Sequence, residues 1–569
     1  MSTDLLEAYI AHQATNGVDA KTSYLKWIKK HPKDAAARHL LAILEAQLGE
    51  FEDALINFKQ ALKLDPKNSS ILHNLANIYR KLNNLAMANK YLQRALKLNP
   101  ASADILNSFG ILATCNKDDI GAINYYNKVL SIDQNHKLAI FNIGISYIKT
   151  KQLSKAESSF KKLINIDNTN ALAHHQLGQI YFAQENYNLA LQHYKETIKH
   201  QPTYALAYHQ IGCIYCQLKD YSLAIEFFTK VLEYQPDHLE TRHNLGALYT
   251  QKHEYAAALV HWLRAIEPNN AENLYNIGST YLALNKALEA KPYLLDALAI
   301  EPLHIHANIA IGAVYLKSSE IEQAKFHYQT ALKQDHTLDD VRYVLESIEN
   351  KQQGEKSTSY NKAPTKYIKN LFNQYAARFD EHLIGKLAYQ TPTKIANELT
   401  DLMPNGSWKN CLDLGCGTGL AAIACKHMVL NFIGIDLAEA MLAEAKKTKL
   451  YGTLICEDIT TYLAQNSLQV DLAIAADVLP YFGDCQELFS LIFKNLEPNG
   501  IFIMTTELLK DSDNWELQGC ARYAHGKNLI QKWLNNSGFV ILNQINFTPR
   551  KQDGAPVLGQ IIVVRKPKQ

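Results

Sequence analysis

Small apolar residues and large aromatic ones recur at a nearly constant spacing along residues 1–336 of the chain. Tyrosine follows three positions after most of the recurring glycines, and prolines such as Pro66 and Pro100 close many of the repeats. Proline cannot continue a helix, so these prolines mark helix ends. The pattern predicts pairs of helices, A and B, that approach each other closely at the small residues. The recurring alanines, whose step is constant except for one shorter step, are Ala20, Ala54, Ala88, Ala122, Ala156, Ala190, Ala224, Ala258, Ala290 and Ala324.

This spacing resembles that of the tetratricopeptide repeat (TPR), whose period is about 34 residues. The resemblance covers about ten repeats and implies an all-α superhelix. The recurring glycine, first seen at Gly110, is replaced by Ala8, Ala42 and Ala76 in the first three repeats. Residues 337–350 predict one further helix that caps the end of the stack with a solvent-exposed polar face. The single short step falls at Glu267-Pro268, where we expect two positions to be missing from a turn between repeats.

An amide side chain recurs in helix A, two positions before the small residue. In the repeat domain of O-linked N-acetylglucosamine transferase, which these repeats resemble, such amides face inward and hold extended peptide backbone. An amide both donates and accepts, so it can pair with a peptide group of any sequence. The ladder predicts a protein or peptide partner, although asparagine is also common at this position for local reasons. Its members are Asn74, Asn142, Gln176, Gln210, Asn244 and Asn276.

Histidines and cysteines in the repeats raise the question of a metal site. His73, His175, His209 and His243 precede four of the amides. Whole repeats separate the last three, so we interpret the histidines as polar residues of the concave surface. Cys213 and Cys216 lie within one predicted helix without a second pair, which indicates packing. No metal site is predicted.

The pattern changes after residue 350. Residues 351–363 are polar and aperiodic, which predicts a linker between a repeat domain at 1–350 and a second domain at 364–569. From Asn410 onward, strands and helices alternate, which predicts a parallel sheet. The predicted strands are residues 410–414, 431–435, 453–456, 471–475 and 500–506, and the predicted helices are residues 420–428, 438–447, 460–465 and 484–496. Strands at 539–547 and 557–565, joined by a turn at Asp553-Gly554, predict a terminal antiparallel hairpin.

A glycine-rich segment, C-L-D-L-G-C-G-T-G, spans Cys411 to Gly419. Glycine lets a loop approach a ligand closely and turn sharply into a helix. The spacing G-x-G-x-G differs from the G-x-G-x-x-G of dinucleotide binders. The next two strands also end in acids, Asp436 and Asp458. An acid in the first position suits two ribose hydroxyls, and one in the second can accept from an adenine amine.

Together these residues resemble the class I S-adenosylmethionine (SAM)-dependent methyltransferases, over about residues 364–569. The resemblance implies an α/β, Rossmann-like domain with a seven-stranded sheet, and SAM as cofactor. Gly415 and Gly417 would pass under the amino-acid part of SAM, and Ile459 would lie beside the adenine. The implied cofactor-binding residues are Asp413, Gly415, Cys416, Gly417, Gly419, Asp436, Leu437, Asp458, Ile459, Asp477 and Tyr375. Tyr375 belongs to a helix that related methyltransferases place as a lid, although ordinary packing would also explain its aromatic residues.

Nearly the whole chain resembles predicted bacterial methyltransferases that carry TPR repeats. Family members place acceptor-side residues after strand five, which makes Tyr523 and His525 candidate catalytic residues. Tyr481 is a third candidate. The segment D-V-L-P-Y that ends at Tyr481 has one residue too many for the Pro-Pro-Tyr motif of amino-methylating enzymes, so it does not assign N-methylation. A structural role for His525 stays open.

Composition excludes some classes of partner and location. The 58 basic and 56 acidic residues give a net charge of +2, which does not favour binding to nucleic acid or to an anionic membrane. The N-terminus lacks a signal-peptide pattern, no apolar run is long enough to span a bilayer, and the nine cysteines are scattered. We therefore expect a soluble cytoplasmic protein.

Three hypotheses remain. The first is a methyltransferase whose repeat superhelix recruits a protein or peptide substrate or partner. The second is a methyltransferase that acts on a small metabolite and uses its repeats for assembly. The third is a scaffold whose methyltransferase domain binds cofactor without turnover. The intact glycine loop and the acids at three strand ends favour the first over the third, and the second stays open.

Overall fold

The computed structural model describes residues 17–353, 359–376, 379–380, 383, 389–404, 406–509, 512–552 and 555–568. The chain forms two compact units, Met1–Leu248 and Tyr249–Gln569. This division falls inside a helix of the repeat array, and the second unit contains the last repeats together with the α/β domain. The predicted domain boundaries at 350 and 364 stay a prediction.

The repeat array consists of paired helices joined by short turns, as the spacing predicts. Ala8, residues 354–358 of the predicted linker and the predicted turn Asp553-Gly554 lie outside the described residues. In the part of the array that is described, helices α1 to α20 span Gly17–Lys30, Ala35–Gln47, Phe51–Leu64, Ser69–Lys81, Leu85–Leu98, Ala103–Cys115, Asp119–Ile132, Lys137–Lys149, Leu153–Ile166, Ala171–Ala183, Tyr187–His200, Ala205–Gln217, Tyr221–Tyr234, Leu239–Gln251, Tyr255–Arg264, Ala271–Ala283, Ala287–Ile300, Ile305–Lys317, Ile321–Gln334 and Asp339–Gln353.

The recurring small residues lie where helices A and B touch. A Cβ atom added to Gly178 in α10 would lie 2.6 Å from the ring of Tyr194 in α11. The same relation joins Gly212 to Phe228 in the next repeat, also at 2.6 Å. Because no side chain fits in these gaps, the large ring and the missing Cβ form one packing unit. The prediction of close approach at the glycines is confirmed.

The turns between helices A and B use a left-handed residue that is seldom glycine. Lys151 has φ 59° and Lys219 has φ 60°. The N–H of Lys151 donates to the carbonyl of Ile148 at 2.9 Å, and that of Gln152 donates to Tyr147 at 2.8 Å. This pair of hydrogen bonds is the Schellman arrangement, which satisfies the last carbonyls of a helix. No glycine signal marks these turns along the chain, because lysine, glutamate, asparagine, histidine or serine occupies most of them.

The short step near Glu267 differs from its prediction in detail. Helix α15 ends at Arg264 after 10 residues, whereas the other B helices of the array have 14. The connection to α16 at Ala271 is correspondingly longer than the usual turn. This repeat is therefore shorter because its helix B is shorter, and not because the turn between repeats is shorter.

Helix α20 does not act as the polar end cap that we expected. Its residue Tyr343 has an exposed fraction of 0%, and its hydroxyl donates to the carbonyl of Ala521 at 3.0 Å. The Tyr343 ring also packs against Tyr360, Tyr367 and Tyr523. The expectation of a solvated face is wrong because this helix packs against the α/β domain that follows it.

The α/β domain contains a seven-stranded sheet in the order β3-β2-β1-β4-β5-β11-β8. Strands β1 to β5 run parallel, whereas β11 pairs antiparallel with both β5 and β8, which confirms the predicted fold and its terminal antiparallel pair. Strands β1 to β11 span Trp408–Leu414, Val429–Asp436, Tyr451–Cys456, Val470–Ala475, Leu496–Glu507, Trp515–Gln518, Arg522–His525, Val540–Phe547, Lys551–Gln552, Ala555–Pro556 and Gly559–Arg565. Helices α21 to α27 span Thr365–Tyr375, Thr391–Leu402, Leu420–Cys425, Glu439–Lys447, Ile459–Gln465, Gln486–Asn495 and Lys527–Asn536.

Several elements of this domain were not predicted, among them helix α22 and the β9-β10 pair. The β6-β7 hairpin and helix α27, which lie between β5 and β8, were not predicted either. The two strands of the hairpin are four residues long, too short for alternation to be a clear signal.

Among the described helices, none combines the length and the apolar character needed to cross a membrane.

Candidate active site

A cavity of about 270 Å³ lies at the carboxyl ends of the parallel strands, where open α/β sheets bind their ligands. Its wall is formed by the glycine loop after β1, by the ends of β2 to β4, by helix α21 and by side chains from β7 and the segment before β9. The lining residues that carry charge are Lys362, Asp413, Asp436, Asp458, Asp477, Arg522 and Arg550.

The glycine loop depends on backbone geometry that other residues avoid. Gly415 has φ 61° and Gly417 has φ 54°. A Cβ on Gly415 would also lie 2.7 Å from a methyl group of Val478. Cys416, between them, lines the cavity too. Gly419 has φ 93° and precedes α23, but it does not reach the cavity wall, so the structure gives it a turn-forming position.

Two acids lie beside this loop, of which Asp413 is buried and Asp436 is half-buried. The Asp436 carboxylate accepts hydrogen bonds from the N–H groups of Gly417 and Ala438, both at 2.9 Å, while burial raises its pKa. The Asp413 carboxyl accepts from the hydroxyl of Tyr451 at 2.6 Å, and burial raises its pKa to about 7. Each oxygen of Asp436 has a second lone pair, so the carboxylate can still accept from a ligand hydroxyl.

Asp458 follows β3 and caps helix α25. Burial by itself would raise the pKa of Asp458, but hydrogen bonds from Lys362 and Thr460 outweigh it and the pKa is lowered. The Lys362 ammonium group donates to the Asp458 carboxylate and lies 5.0 Å from the centre of the Phe482 ring. Leu437 and Ile459 supply the apolar part of this wall.

We use the name arginine cluster for a group of five residues: Asp477, Tyr481, Glu507, Arg522 and Arg550. All of them except Glu507 line the cavity, and Glu507 contacts the two arginines. Arg522 donates from Nε to Glu507 at 2.7 Å, from Nη1 to the Tyr481 hydroxyl at 2.7 Å and from Nη2 to Asp477 at 2.8 Å. Arg550 contacts Glu507 at 2.8 Å and Asp477 at 3.5 Å. Both arginine side chains are at most 11% exposed. The cluster therefore holds two nearly buried guanidinium groups with their positions fixed by two acids.

Asp477 itself sits in an unusual backbone conformation. Its φ is 63°, and its N–H donates to the Thr505 hydroxyl at 2.8 Å. A left-handed aspartate is less strained than most residues would be there. The turn directs the Asp477 carboxylate toward Arg522 and Arg550.

The three predicted catalytic residues are not brought together. Tyr481 lines the cavity, but Tyr523 and His525 do not. The Tyr523 hydroxyl donates to the carbonyl of Tyr360 at 2.7 Å. His525 has an exposed fraction of 0%, bonds to Thr506 and to the carbonyl of Phe482, each at 2.8 Å, and has its pKa lowered to about 4 by burial.

Strand alternation explains this outcome. Successive side chains of a strand point to opposite faces, so residues 522 and 524 of β7 share one face and residues 523 and 525 share the other. Arg522 reaches the cavity, and its neighbours Tyr523 and His525 pack behind the strand. Arg522 directly precedes the candidate residue Tyr523, but neither it nor Arg550 carried a signal of its own in the sequence.

The predicted lid contributes aromatic rings to the wall. Phe372, Tyr375 and Phe379 all line the cavity. The Phe372 ring meets the Tyr481 ring edge to face at 5.5 Å, while Tyr375 is 41% exposed. Residues 377–378, 381–382 and 384–388 of the predicted lid lie outside the described part of the chain.

The amides of the repeat array, the predicted partner site, are half-buried and partly bonded to neighbouring repeats. Asn74 contacts His39 at 2.9 Å, and Asn142 donates to Asn107 at 3.5 Å. Asn244 contacts His209 at 3.4 Å, and Gln176 contacts the adjacent His175 at 3.5 Å. Gln210 and Asn276 are also half-buried. Neighbouring A helices are thus linked through side chains that lie one repeat apart.

His175 and His209 are buried at 1% exposure, so their interpretation as surface residues is wrong. Helical packing places them between repeats. His175 lies against the rings of Tyr194 and Tyr204. Cys213 is a free thiol whose pKa is raised to about 12 by burial, as expected of a packing residue.

Family models match both parts of the chain. A model described as "Methyltransferase domain" matches residues 406–538. Models described as tetratricopeptide or TPR repeats match residues 42–83, 69–102, 139–170, 163–237 and 271–302. TPR repeats are typical of protein-binding regions, and a class I methyltransferase domain implies SAM as its cofactor.

Individual relatives match only part of their own length. The chain is 28% identical to "Phosphoethanolamine N-methyltransferase 2" of Caenorhabditis elegans over 33% of this chain and 44% of that protein. It is 31% identical to "Trans-aconitate 2-methyltransferase" of Variovorax paradoxus over 19% of this chain and 42% of that protein. The chain thus spans less than half the length of these relatives.

Among solved structures, the chain resembles "YrrB: a TPR protein with an unusual peptide-binding site". The two are 25% identical, with a TM-score of 0.27, over 33% of this chain and 96% of that one. This TM-score is too low to support any functional statement. The family models decide the assignment, and a bacterial origin stays a prediction. The chain carries tetratricopeptide repeats in its N-terminal part and a class I SAM-dependent methyltransferase domain in its C-terminal part.

Proposed function

We propose that this protein transfers the methyl group of SAM to an acceptor, and that its repeat array recruits the protein or peptide that carries the acceptor or a partner. The glycine loop is the observation that carries the proposal. Its left-handed Gly415 and Gly417 leave backbone exposed to the cavity, and Asp436 is fixed beside them by the N–H of Gly417. This is the donor and acceptor set that a nucleoside with an amino-acid group needs.

The residues of the cavity fit SAM in kind. Asp436 can accept from ribose hydroxyls, and Asp458 can accept from the adenine amine, with Ile459 and Leu437 as apolar contacts. When bound, SAM supplies a methyl group on a positively charged sulfur. The acids of the wall favour that charge, and the aromatic rings of the lid exclude water from the reacting atoms. Positioning of the acceptor then contributes much of the rate enhancement.

Binding of SAM is tested by calorimetry on the full-length protein. We expect Asp436→Ala to weaken SAM affinity at least about tenfold, because a hydrogen bond to a charged group contributes about 1.5–3 kcal/mol. Asp401→Ala serves as the control, since Asp401 is exposed on α22 outside the cavity. Absence of SAM binding by the wild type, or equal affinity in Asp436→Ala, would overturn the cofactor assignment.

The partner proposal rests on the amide ladder. Its members are half-buried and so remain within reach of a ligand, although several already bond to the neighbouring repeat. Incubating the protein with SAM labelled in its methyl group and a cell lysate identifies the acceptor. Label in a protein, reduced in Gln210→Ala/Asn244→Ala while SAM binding is unchanged, supports recruitment by the array.

A second function, methylation of a small metabolite, is favoured by one observation. The two arginines of the cluster line the cavity and are nearly buried, which suits a small polar molecule. Label confined to small molecules in the same lysate experiment would support this function. Tight SAM binding without any labelled product would instead support the scaffold hypothesis.

A further inference from the structure

We propose that the methyl acceptor is a carboxylate, held by Arg522 and Tyr481 of the arginine cluster, and that its oxygen takes the methyl group as an ester. The proposal rests on the methyl-transfer function proposed above and names the chemical class of its acceptor. Three independent features lead to it: the hydrogen-bond donors of the cluster, their electrostatic setting and the state of the acid–base groups around them.

The cluster offers donors to the cavity. A guanidinium group has five N–H donors, and Arg522 uses three of them in hydrogen bonds to Glu507, Tyr481 and Asp477. The Tyr481 hydroxyl accepts from Arg522, which leaves its own hydrogen to donate to a ligand. Both Arg522 and Tyr481 line the cavity. A planar oxyanion is the group that a fork of guanidinium donors matches best.

The carboxylates of Glu507 and Asp477 hold the guanidinium groups of both arginines in fixed orientations. Glu507 is 7% exposed and bonds to both arginines, while Asp477 contacts both from its own carboxylate. The two arginines and two acids sum to zero charge, so the cluster attracts a ligand through oriented donors more than through net charge. A bound carboxylate would also lie near the positive sulfur of SAM, which favours an anionic acceptor over a cationic one.

Among the described lining residues, the acid–base groups nearest the cluster are not placed to activate a neutral acceptor. Burial raises the pKa of the phenols of Tyr389 and Tyr481, so both stay protonated. The two oxygens of Asp477 face the two arginines, and Lys362 is bonded to the carboxylate that follows β3. The carboxyl of Asp413 is directed at a tyrosine hydroxyl, and the acid that ends β2 is held by the glycine loop.

A carboxylate needs no such base because it arrives ionised at neutral pH, whereas an amine or alcohol must lose a proton. In the proposed step, a lone pair of the carboxylate oxygen forms the new C–O bond. The C–S bond breaks, and its electron pair stays on sulfur. The products are a methyl ester and S-adenosylhomocysteine. No proton is transferred, and the step needs no oxidant or reductant.

The test uses the full-length protein, SAM labelled in its methyl group, and three carboxylic acids of different charge: octanoate, succinate and citrate. Phosphoethanolamine serves as an amine that carries a different oxyanion. A lysate provides acceptors not in the set, including protein carboxylates. Mild base releases the label of a methyl ester as volatile methanol, whereas methyl groups on nitrogen are stable. We expect base-labile label from a carboxylic acid or from the lysate.

Tyr481→Phe then tests the cluster itself, because it removes only the O–H donor. We expect at least a tenfold higher KM for the carboxylate acceptor, with SAM affinity unchanged by calorimetry. Tyr462→Phe is the matched control: Tyr462 is a partly buried tyrosine of α25 outside the cavity wall, and its KM should match the wild type.

Several results would overturn the carboxylate proposal while leaving the methyl-transfer function intact. Base-stable label, including label on phosphoethanolamine, would show another acceptor atom. An unchanged KM in Tyr481→Phe would remove the cluster from acceptor binding. SAM binding without any base-labile product from acids or lysate would likewise reject the carboxylate. A wild type that does not bind SAM would reject the proposed function itself.

Discussion

The glycine loop and the arginine cluster, which form two parts of the cavity wall, make their contacts through different chemical groups. At the glycine loop, backbone N–H groups and short side chains make the contacts, and they come from β1, β2 and the turns that directly follow these strands. In the arginine cluster, charged side chains from β5, β7 and the segments after β4 and before β9 meet although they lie far apart along the chain. The glycine loop accepts few residue types because its backbone has positive φ angles. The arginine cluster accepts few because each of its buried charges needs a partner of opposite charge.

This difference predicts different responses to mutation. A change in the glycine loop should alter local geometry and ligand affinity. A change in the arginine cluster should leave a buried charge unpaired and so reduce the stability of the whole domain. The following experiments compare the two parts, beginning with the largest expected effect.

Arg522→Leu should destabilise the α/β domain by about 3–5 kcal/mol, because it leaves the buried Glu507 and the half-buried Asp477 without their main partner. Urea unfolding measures this change in free energy. Arg342→Leu is the control, since Arg342 forms an exposed pair with Asp339, whose loss should change stability by about 1 kcal/mol or less. Similar losses in the two variants would contradict the distinction between a buried cluster and a surface pair.

Asp413 provides a pH-dependent test of the glycine-loop side. Burial raises its pKa from 3.8 to about 7, so the folded state favours the protonated acid. The contribution of Asp413 to stability is therefore present below about pH 4 and is lost as the pH rises to about 7. We expect the free energy of unfolding to fall over this range relative to Asp413→Asn, by on the order of 2–4 kcal/mol, and to stay constant relative to that variant above about pH 7.

Denaturant titrations from about pH 4 to about pH 8 provide the measurement for Asp413. The variant keeps the size of the side chain and cannot ionise, which isolates the titration of this one group. Parallel curves for the wild type and Asp413→Asn over the acidic half of that range would show that the folded environment does not favour the protonated acid.

Gly415→Ala and Gly417→Ala separate two constraints within the loop. Both glycines have positive φ, but only at Gly415 would a Cβ collide with Val478, at 2.7 Å. At Gly417 the nearest atom, on Phe379, lies 3.9 Å away. We expect Gly415→Ala to be less stable than Gly417→Ala by about 1–3 kcal/mol in urea unfolding. Adding Val478→Ala should recover part of that difference, and no recovery would argue against the collision.

Lys362→Met should give the smallest effect. It frees the Asp458 oxygen that now accepts from Lys362, so an adenine amine would no longer share it. We expect SAM affinity to increase two- to threefold by calorimetry, about 0.5 kcal/mol. Lys369→Met is the control, because Lys369 pairs with Glu439 on the surface. Weaker SAM binding in Lys362→Met would mean that the lysine helps to hold the cofactor.

Sequence alone predicted the parts of this molecule that depend on local or periodic signals. The constant step of the repeats defines the helix pairs, because a small residue of helix A, such as Gly178, faces a large side chain of the helix that follows, such as Tyr194. The acids that end β2 and β3 could be placed at one edge of the sheet, since the carboxyl ends of parallel strands share an edge. These features need no knowledge of distant contacts.

The arginine cluster could not be predicted in the same way. Arg522 and Arg550 come from separate segments and meet through Glu507, which belongs to a third element. The parity of β7 decides whether Arg522 or Tyr523 enters the cavity, and a strand of four residues gives too little alternation to decide it. The buried face of α20 was missed for a related reason, because the partners of Tyr343 come from later in the chain.

The packing of α20 determines where the chain can be divided. Tyr343 donates to Ala521, and the carbonyl of Tyr360 accepts from Tyr523, so residues before the predicted boundary at 364 complete the interior of the α/β domain. A fragment that starts at 364 would expose the ring of Tyr523 and leave its hydroxyl without this acceptor. A fragment that keeps these contacts therefore has to include α20, which begins at Asp339.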